Sequence, residues 1–279
     1  MPVRIVTDSS CDLNETQVAA LGIEVVPLTV RFGNEEFVDR TELTTDDFYR
    51  RMAAASELPQ TAAPAPGAFE AAFRRAADAG AEAVVCVNLS AQLSATMQSA
   101  QTAAKAFEGS LDVRVLDSRS ITLGLGSMVT WAAEAALDGA SVDTIADGVT
   151  SMAARNRIWA TLDTLDNLKK GGRIGGAKAL VAGLLSIKPA ISIHEGVVEE
   201  AGKPRTRGKA LQWLADRVLE EPSVEHLCVM HGQAPDIDQF LDLLAPKYDR
   251  SALTVGVIGP IIGVHGGPRV IGASYQVPR

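Results

Sequence analysis

The sequence has few aromatic residues, few cysteines and no long apolar run, and each shortage excludes a class of protein. Phe, Trp and Tyr make up only 5% of the 279 residues, so aliphatic side chains would have to line any large apolar cavity. No apolar run reaches the roughly 18 residues that span a bilayer. We also expect no secretory signal peptide, because the first residues run straight into a strand-like segment.

The cysteines and the net charge exclude further classes of protein. Cys11, Cys86 and Cys228 are odd in number and far apart, which predicts neither a disulfide framework nor a metal site and indicates a reducing cytoplasm. The formal net charge is −8 and the isoelectric point is near 5.1. An acidic chain is unsuited to nucleic acid or to an anionic lipid surface. We therefore expect no nucleic-acid partner and no integral membrane contact.

Several catalytic and cofactor motifs are missing. The sequence contains no phosphate-binding P-loop, no dinucleotide fingerprint and no G-x-S-x-G nucleophile elbow. It also contains neither H-x-x-x-H nor C-x-x-C, so we expect no metal and no cofactor.

The apolar pattern of the first half predicts a parallel sheet with helices on both faces. At about 150 residues per domain, a chain of this length predicts roughly two domains. Strands are expected at residues 3–7, 23–30, 83–88 and 113–116, with helices between them at 45–55, 68–79, 94–107 and 121–137. The proline-rich residues 58–67 are expected to be irregular. This order is typical of a three-layer α/β domain.

The second half predicts a smaller α/β domain with a mixed sheet. We place the boundary near residue 155, which gives domains 1–155 and 156–279. Short helices are expected at residues 163–170 and 177–184, and a longer one at 208–221. The remaining apolar segments predict strands at residues 157–162, 187–193, 197–199, 227–231, 254–258 and 271–276.

Hydroxyl side chains follow several of the predicted strands. Asp8-Ser9-Ser10, Ser94 and Asp117-Ser118 stand at strand ends, where ligands bind in open α/β sheets, and Thr61 lies in the proline-rich segment. Each is also an ordinary helix N-cap, but the set together favours a binding site. His265 is flanked by glycines, which allow a ligand to approach closely or simply form a tight turn with a surface histidine.

Basic residues gather in two places on this acidic chain. Lys169, Lys170 and Arg173 flank the glycine-rich residues 171–176, and four cations lie close together at Lys203, Arg205, Arg207 and Lys209. Such clusters form a solvated face, or they bind an acidic partner or an anionic group.

The ordered set of motifs resembles the DegV family over essentially the whole chain. In the first half the matching segments are residues 3–13 (VRIVTDSSCDL), 26–28, Thr61 with its proline-rich stretch, 89–99 and 117–118. In the second half they are residues 161–165, 169–174, 186–189, 203–209 and 258–267.

The resemblance implies a two-domain α/β protein that holds one long-chain fatty acid between its domains. It further implies a subunit of bacterial fatty acid kinase that has no turnover of its own and presents the carboxylate to a separate ATP-binding kinase subunit, which makes the acyl phosphate. By family pattern Thr61, Ser94 and His265 bind the carboxylate. Arg173 and Arg205 match residues that dock the partner or handle phosphate.

The match departs from the family pattern at four positions around these motifs. Family members commonly have Gly at Ala91 and Ala95, Ser at Ala62 and a small residue at Arg269. The shape of the pocket and its acyl preference are therefore not carried over. Residues 121–131 and 180–193 are candidates to line the tail, although both segments also suit a plain core.

Two other functions remain open from the sequence. The chain is also compatible with an enzyme, either a hydrolase that uses Ser94 or Ser9 with His265 and Asp8, or a small-molecule kinase similar in fold to dihydroxyacetone kinases. A regulatory binding protein without a kinase partner is the third hypothesis.

Overall fold

A computed structural model describes residues 2–178 and 187–279. The first half of the chain alternates strands and helices, as its apolar pattern predicts. Its elements are β1 (Val3–Asp8), α1 (Glu15–Leu21), β2 (Glu24–Val26), β3 (Thr29–Phe32), β4 (Glu35–Val38), α2 (Thr45–Ala54), β5 (Gln60–Ala62), α3 (Pro66–Asp78), β6 (Ala83–Asn88), α4 (Thr96–Ala104), β7 (Asp112–Asp117), α5 (Thr122–Leu137) and α6 (Val142–Arg155).

Four of these strands form a parallel sheet in the order β2-β1-β6-β7. Alternate residues of β1 and β6 point to opposite faces, because side chains alternate along a strand. Ile5 and Val85 pack toward α5, whereas Val6 and Val84 pack toward α3 and α4. The sheet is thus covered by helices on both faces, which confirms the predicted three-layer arrangement.

The second half forms a six-stranded mixed sheet in the order β10-β9-β8-β13-β11-β12, in which β11 and β12 are parallel and the other neighbours antiparallel. Its elements are β8 (Asn156–Thr161), α7 (Asp166–Lys170), β9 (Ala190–His194), β10 (Val197–Gly202), α8 (Arg207–Leu219), β11 (Glu225–His231), α9 (Ile237–Leu244), β12 (Thr254–Val257), α10 (Pro260–Gly266) and β13 (Ile271–Gln276). The predicted mixed sheet is confirmed. Most of the helix predicted at residues 177–184 lies outside the described residues, which end at 178 and resume at 187.

Helix α5 joins the two sheets. Leu123, Leu125 and Val129 are buried in one apolar cluster that contains residues from both sheets, including Ile5 and Met230. This explains why residues 122–133 of α5 carry no charged side chain, since a helix covered on two faces has little solvent-facing surface. Among the described residues, no helix is both long enough and apolar enough to cross a bilayer. All three cysteines are free and buried.

Two predictions about local structure are wrong in detail. Residues 23–30 form two strands, β2 and β3, in different sheets, because Pro27 interrupts the ladder. Residues 60–62 of the proline-rich segment form β5, which pairs with β3 at the edge of a three-stranded antiparallel sheet, β4-β3-β5. The tight turn with a surface histidine, one of the two alternatives left open for His265, is not found, because residues 260–266 form α10 with Pro260 in its first turn.

Candidate ligand-binding cavity

A cavity of about 180 Å³ lies between α5, the loop after β6 and the inner face of the six-stranded sheet. The described lining contains no aromatic residue, and its only polar members are Thr61, Ser94, Thr122, Arg173 and His265. The cavity therefore combines a long aliphatic wall with very few polar groups.

The aliphatic wall follows from the alternation of the strands. Ile158, Ala160 and Leu162 of β8 and its following residue line the cavity, as do Ile191 and Ile193 of β9. Ala160 lies in a central strand and is nevertheless partly exposed, because the space in front of it is empty. Of the two segments suggested for the tail, Ile121, Thr122, Ile191 and Ile193 contribute to the described lining. Residues 180–186 of the second segment lie outside the described residues.

The three-stranded sheet and α10 bring Thr61 to His265. Thr61 lies opposite Val30 in the β3–β5 pair. Ile261 and Val264 of α10 pack in the same buried cluster as Val30. The result is a contact of 3.1 Å between Thr61 Oγ1 and His265 Nε2, across more than 200 residues of sequence. The structure thus joins two of the predicted carboxylate-binding residues through β5, a strand that the sequence did not predict.

Burial keeps His265 neutral. Its pKa is lowered from 6.5 to about 4, chiefly by burial and secondly by the positive charge of Arg173. Its Nδ1 atom has no hydrogen-bond partner among the described residues. A neutral imidazole beside a hydroxyl can hydrogen-bond a carboxylate without forming an ion pair with it.

The low pKa of His265 predicts a pH-dependent contribution to stability. A histidine whose folded pKa lies below its unfolded value of about 6.5 contributes stability that is present above pH 6.5 and lost as the pH falls toward 4. We expect the difference in free energy of unfolding between the wild type and His265→Gln to shrink over this interval, as measured by urea unfolding at several pH values. A difference that stays constant from pH 7 to pH 4 would show that His265 is not held neutral.

Gly171 leaves the space that the imidazole of His265 occupies. A Cβ atom at Gly171 would lie 2.4 Å from His265 Nδ1 and 3.0 Å from the carbonyl oxygen of Asn167. We therefore expect Gly171→Ala to displace the imidazole, break its contact with Thr61 and lower the free energy of unfolding by about 1–3 kcal/mol. The matched control is Gly67→Ala, because a Cβ at that position meets nothing within 4 Å. A crystal structure of Gly171→Ala with His265 unmoved would contradict this account.

Ser94 lies in the cavity lining on the loop after β6. Its Oγ lies 2.8 Å from Thr96 Oγ1 and accepts the backbone N–H of Thr96 at 3.3 Å. Asp8 holds the start of this loop, since its Oδ2 accepts the N–H of Leu89 at 2.9 Å and the amide of Asn88 at 3.2 Å. These bonds place Ser94 beyond the carboxyl end of β6, where a parallel sheet offers a ligand site.

The other strand-end hydroxyls have structural partners and are absent from the described cavity lining. Ser10 donates to Asp8, and Ser9 Oγ accepts the N–H of Leu28 at 3.1 Å. Ser118 Oγ accepts the N–H of Ser120 at 3.1 Å. The hydrolase hypothesis needs Ser94 or Ser9 beside His265. Among the described residues, the hydroxyl that contacts His265 belongs to Thr61.

Arg173 and Arg205 lie in different surroundings. Arg173 lines the cavity, and its guanidinium donates to the carbonyl oxygens of Leu93 at 3.1 Å and Gly171 at 2.8 Å. Arg205 is exposed and is not part of the described lining. Near it, Arg207 forms a bidentate pair with Asp236, at 2.7 and 2.9 Å. The basic segment therefore carries both a neutralised arginine and exposed cations.

Arg269, one of the departures from the family pattern, pairs with a carboxylate shared by several cations. Its Nε lies 3.2 Å from Asp163 Oδ2, and Lys188 Nζ lies 3.0 Å from Asp163 Oδ1. Arg269 has a positive φ of 62°, which is uncommon for a residue other than glycine. Arg269 therefore adds positive charge to the surface beside the basic segment.

The comparisons with known proteins agree with this architecture. The family model described as an uncharacterised protein of the DegV family matches residues 2–277. The chain belongs to the DegV family. A DegV domain-containing protein from Deinococcus radiodurans is 35% identical over 288 residues, with 99% of each chain covered. One from Streptomyces coelicolor is 35% identical over 277 residues, with 97% of this chain and 96% of the relative covered.

Solved DegV structures share the whole fold. A protein from Thermus thermophilus, described as a fatty-acid-binding DegV family protein, has a TM-score of 0.92 at 30% identity over 100% of both chains. A stearic-acid-binding protein from Eubacterium ventriosum has a TM-score of 0.88 at 27% identity over 98% of both chains. DegV from Bacillus subtilis, described as a fatty acid binding protein, has a TM-score of 0.86 at 26% identity over 100% of both chains.

Proposed function

We propose that this DegV protein binds one long-chain fatty acid in its cavity and presents the carboxylate to a separate ATP-dependent kinase subunit, which converts it to an acyl phosphate. The protein itself has no turnover. The observation that carries the proposal is the cavity, whose wall is aliphatic and whose polar members include Thr61, Ser94 and His265. The fatty acids named for the Thermus and Eubacterium relatives support the same ligand class.

The tail supplies most of the binding free energy in this proposal. At about 0.8 kcal/mol per buried CH₂ group, fourteen methylenes contribute roughly 11 kcal/mol before the costs of ordering the chain. Only a dry aliphatic wall recovers this amount, and Ile158, Leu162, Ile191 and Ile193 offer such a surface. The ligand is therefore held mainly by its chain and only oriented by its carboxylate.

The carboxylate is held by neutral groups so that it can still react. The hydroxyls of Thr61 and Ser94 can each donate one hydrogen bond to the carboxylate. The neutral imidazole of His265 supports this when its Nε2 carries the proton, because it then donates to Thr61 Oγ1 and leaves the Thr61 proton for the acid. A bidentate arginine would bind a carboxylate more strongly and would occupy the lone pair that attacks phosphorus. Arg173 also lines the cavity, and two nitrogens of its guanidinium already donate to backbone carbonyls. In this proposal its positive charge therefore acts on the carboxylate without a bidentate hydrogen-bonded pair.

The partner-facing part of the proposal rests on Arg173 and Arg205. Arg173 lies beside the place where the phosphoryl group would arrive and handles the developing phosphate. Arg205 is exposed on the basic segment and docks the kinase subunit. The proposal also includes the division of the chain into domains 1–155 and 156–279 with the lipid between them, and a place in the bacterial cytoplasm.

Reconstitution tests the proposed function. Delipidated protein is loaded with ¹⁴C-stearic acid and incubated with a DegV-associated kinase subunit and ATP, and acyl phosphate is trapped with hydroxylamine. We expect acyl hydroxamate only when both proteins and ATP are present. Binding without acyl phosphate would favour the regulatory hypothesis, and hydroxamate or ester cleavage from this chain alone would favour the enzyme hypothesis.

A further inference from the structure

A row of paired residues crosses four strands of the six-stranded sheet at the floor of the cavity. Ala160 of β8 pairs with Gly272 of β13, and Gly272 pairs with Met230 of β11. Met230 pairs in turn with Gly256 of β12. Paired positions share one face of a sheet, and Ala160, Gly272 and Met230 all line the cavity. Val229, the neighbour of Met230, packs in the cluster on the other face.

Met230 stands between two glycines in this row. A Cβ at Gly272 would lie 3.1 Å from Met230 Sδ, so the thioether lies over the bare backbone of Gly272. On the other side, Gly256 offers no side chain either. Side chains on a sheet are fixed largely by their cross-strand partners, and Met230 has no partner side chain on either side. A glycine within a central strand weakens the strand and marks a place of close approach to the backbone.

Met230 is also the most flexible apolar side chain of the described lining. The other apolar members are Ala, Gly, Val, Leu and Ile residues. Branched side chains have few rotamers, whereas methionine is unbranched, has three rotatable bonds and fills irregular gaps. The space over Gly272 is therefore occupied by the lining residue that can leave it at the smallest cost.

The row lies alongside the acyl chain of the proposed ligand and not at the carboxylate. A Cβ at Gly266, the residue after His265, would lie 3.5 Å from Val270 Cγ1, so Val270 marks the His265 end of the described lining. Gly272 lies two residues further on, in the extended strand β13. Two residues of extended chain span about 7 Å. A fatty acid whose carboxylate meets His265 would thus pass this row with its hydrocarbon chain.

We infer that Met230 is an adjustable part of the cavity wall, which covers Gly272 beside a straight acyl chain and vacates that space for a bent one. The ligand class is the cis-unsaturated long-chain fatty acids, because a cis double bond turns the chain sideways at one point, whereas a saturated or trans chain stays straight. Met230 is thus a specificity-determining residue that lets one cavity accept both shapes. This inference rests on the proposed function, since it concerns the chain of the same bound acid.

The affinity ratio of two isomeric acids tests the adjustable wall. Oleic and elaidic acid differ only in the geometry of one double bond, cis in oleic and trans in elaidic acid, so their ratio reports the shape of the chain. Both acids and stearic acid are titrated calorimetrically into delipidated wild type, Met230→Ile and Met230→Ala. Isoleucine keeps the volume of methionine but is stiff, and alanine leaves the space open. The matched control is Met128→Ile, because Met128 is fully buried and lies outside the described lining.

We expect the wild type and Met128→Ile to bind oleic acid within about threefold of elaidic acid. In Met230→Ile, oleic acid should lose about tenfold relative to elaidic acid, because the stiff side chain stays in the path of the bend. In Met230→Ala the ratio should shift by about threefold in favour of oleic acid, because no side chain has to move and the straight chain loses a contact. A merely structural role of Met230 would not move the ratio in opposite directions in the two variants.

The same titrations separate the two proposals. If the ratio of oleic to elaidic acid is the same in the wild type, Met230→Ile and Met230→Ala, the adjustable wall is refuted while binding of stearic acid keeps the proposed function. Equal losses for all three acids in the Met230 variants refute it as well. If the wild type binds none of the three acids, the proposed function fails and the adjustable wall fails with it.

Discussion

Replacing Ala160 with phenylalanine is expected to weaken the binding of long-chain fatty acids severely. Ala160 lies in the central strand β8, and its side chain faces the empty cavity between Ile158 and Leu162. A phenyl ring at this position would fill the volume of several methylene groups. Displacing four of them removes about 3 kcal/mol, which corresponds to more than a hundredfold loss of affinity for stearic acid.

The matched control for this variant is Ala154→Phe, at an exposed position of α6. We expect its affinity for stearic acid to equal that of the wild type in calorimetric titration. An eight-carbon acid should be affected less by Ala160→Phe than stearic acid, because it needs less of the chamber. Unchanged binding of stearic acid by a folded Ala160→Phe protein would show that the tail lies elsewhere.

Removing the hydroxyl of Thr61 or Ser94 is expected to reduce phosphorylation much more than binding. Thr61→Val and Ser94→Ala each remove one of several hydrogen bonds, so the affinity for stearic acid should fall by only about two- to tenfold. Acyl phosphate formation with the kinase subunit should fall by about a hundredfold, because a misplacement of about 1 Å in the reacting group costs that much.

The comparison requires both measurements on the same protein preparations. Thr102→Val serves as the control, since Thr102 is exposed on α4 and donates only to the carbonyl of Gln98. If binding and phosphorylation fall by the same factor, Thr61 and Ser94 hold the ligand without orienting it. In that case the proposal that the acyl chain supplies the affinity and the carboxylate contacts supply the orientation is wrong.

The regular part of the fold is predictable from local pattern. The strands β1, β6 and β7 have short apolar segments with clear ends, and α5 is long and mostly apolar, so their types follow from the sequence. The pairing of β5 with β3 does not follow, because β5 consists of only three residues within a proline-rich segment and pairs with residues about thirty positions away. Helices α6 and α9 are absent from the sequence prediction.

The candidate site, like the fold, could be predicted from the sequence only in part. Thr61, Ser94, Arg173 and His265 are singled out from the sequence and all line one cavity. The contact between Thr61 and His265 is missed, because the proline-rich residues around Thr61 are expected to be irregular. This contact depends on the pairing of β5 with β3, which exists only in the folded chain.

A crystal structure of the delipidated protein soaked with stearic acid would test the central claim most directly. The account predicts one acid in the cavity, with its chain along Ile158, Ala160 and Leu162. Its carboxylate should lie within hydrogen-bonding distance of Thr61 Oγ1, Ser94 Oγ and His265 Nε2. An empty cavity, or an acid whose carboxylate lies away from Thr61, Ser94 and His265, would contradict it.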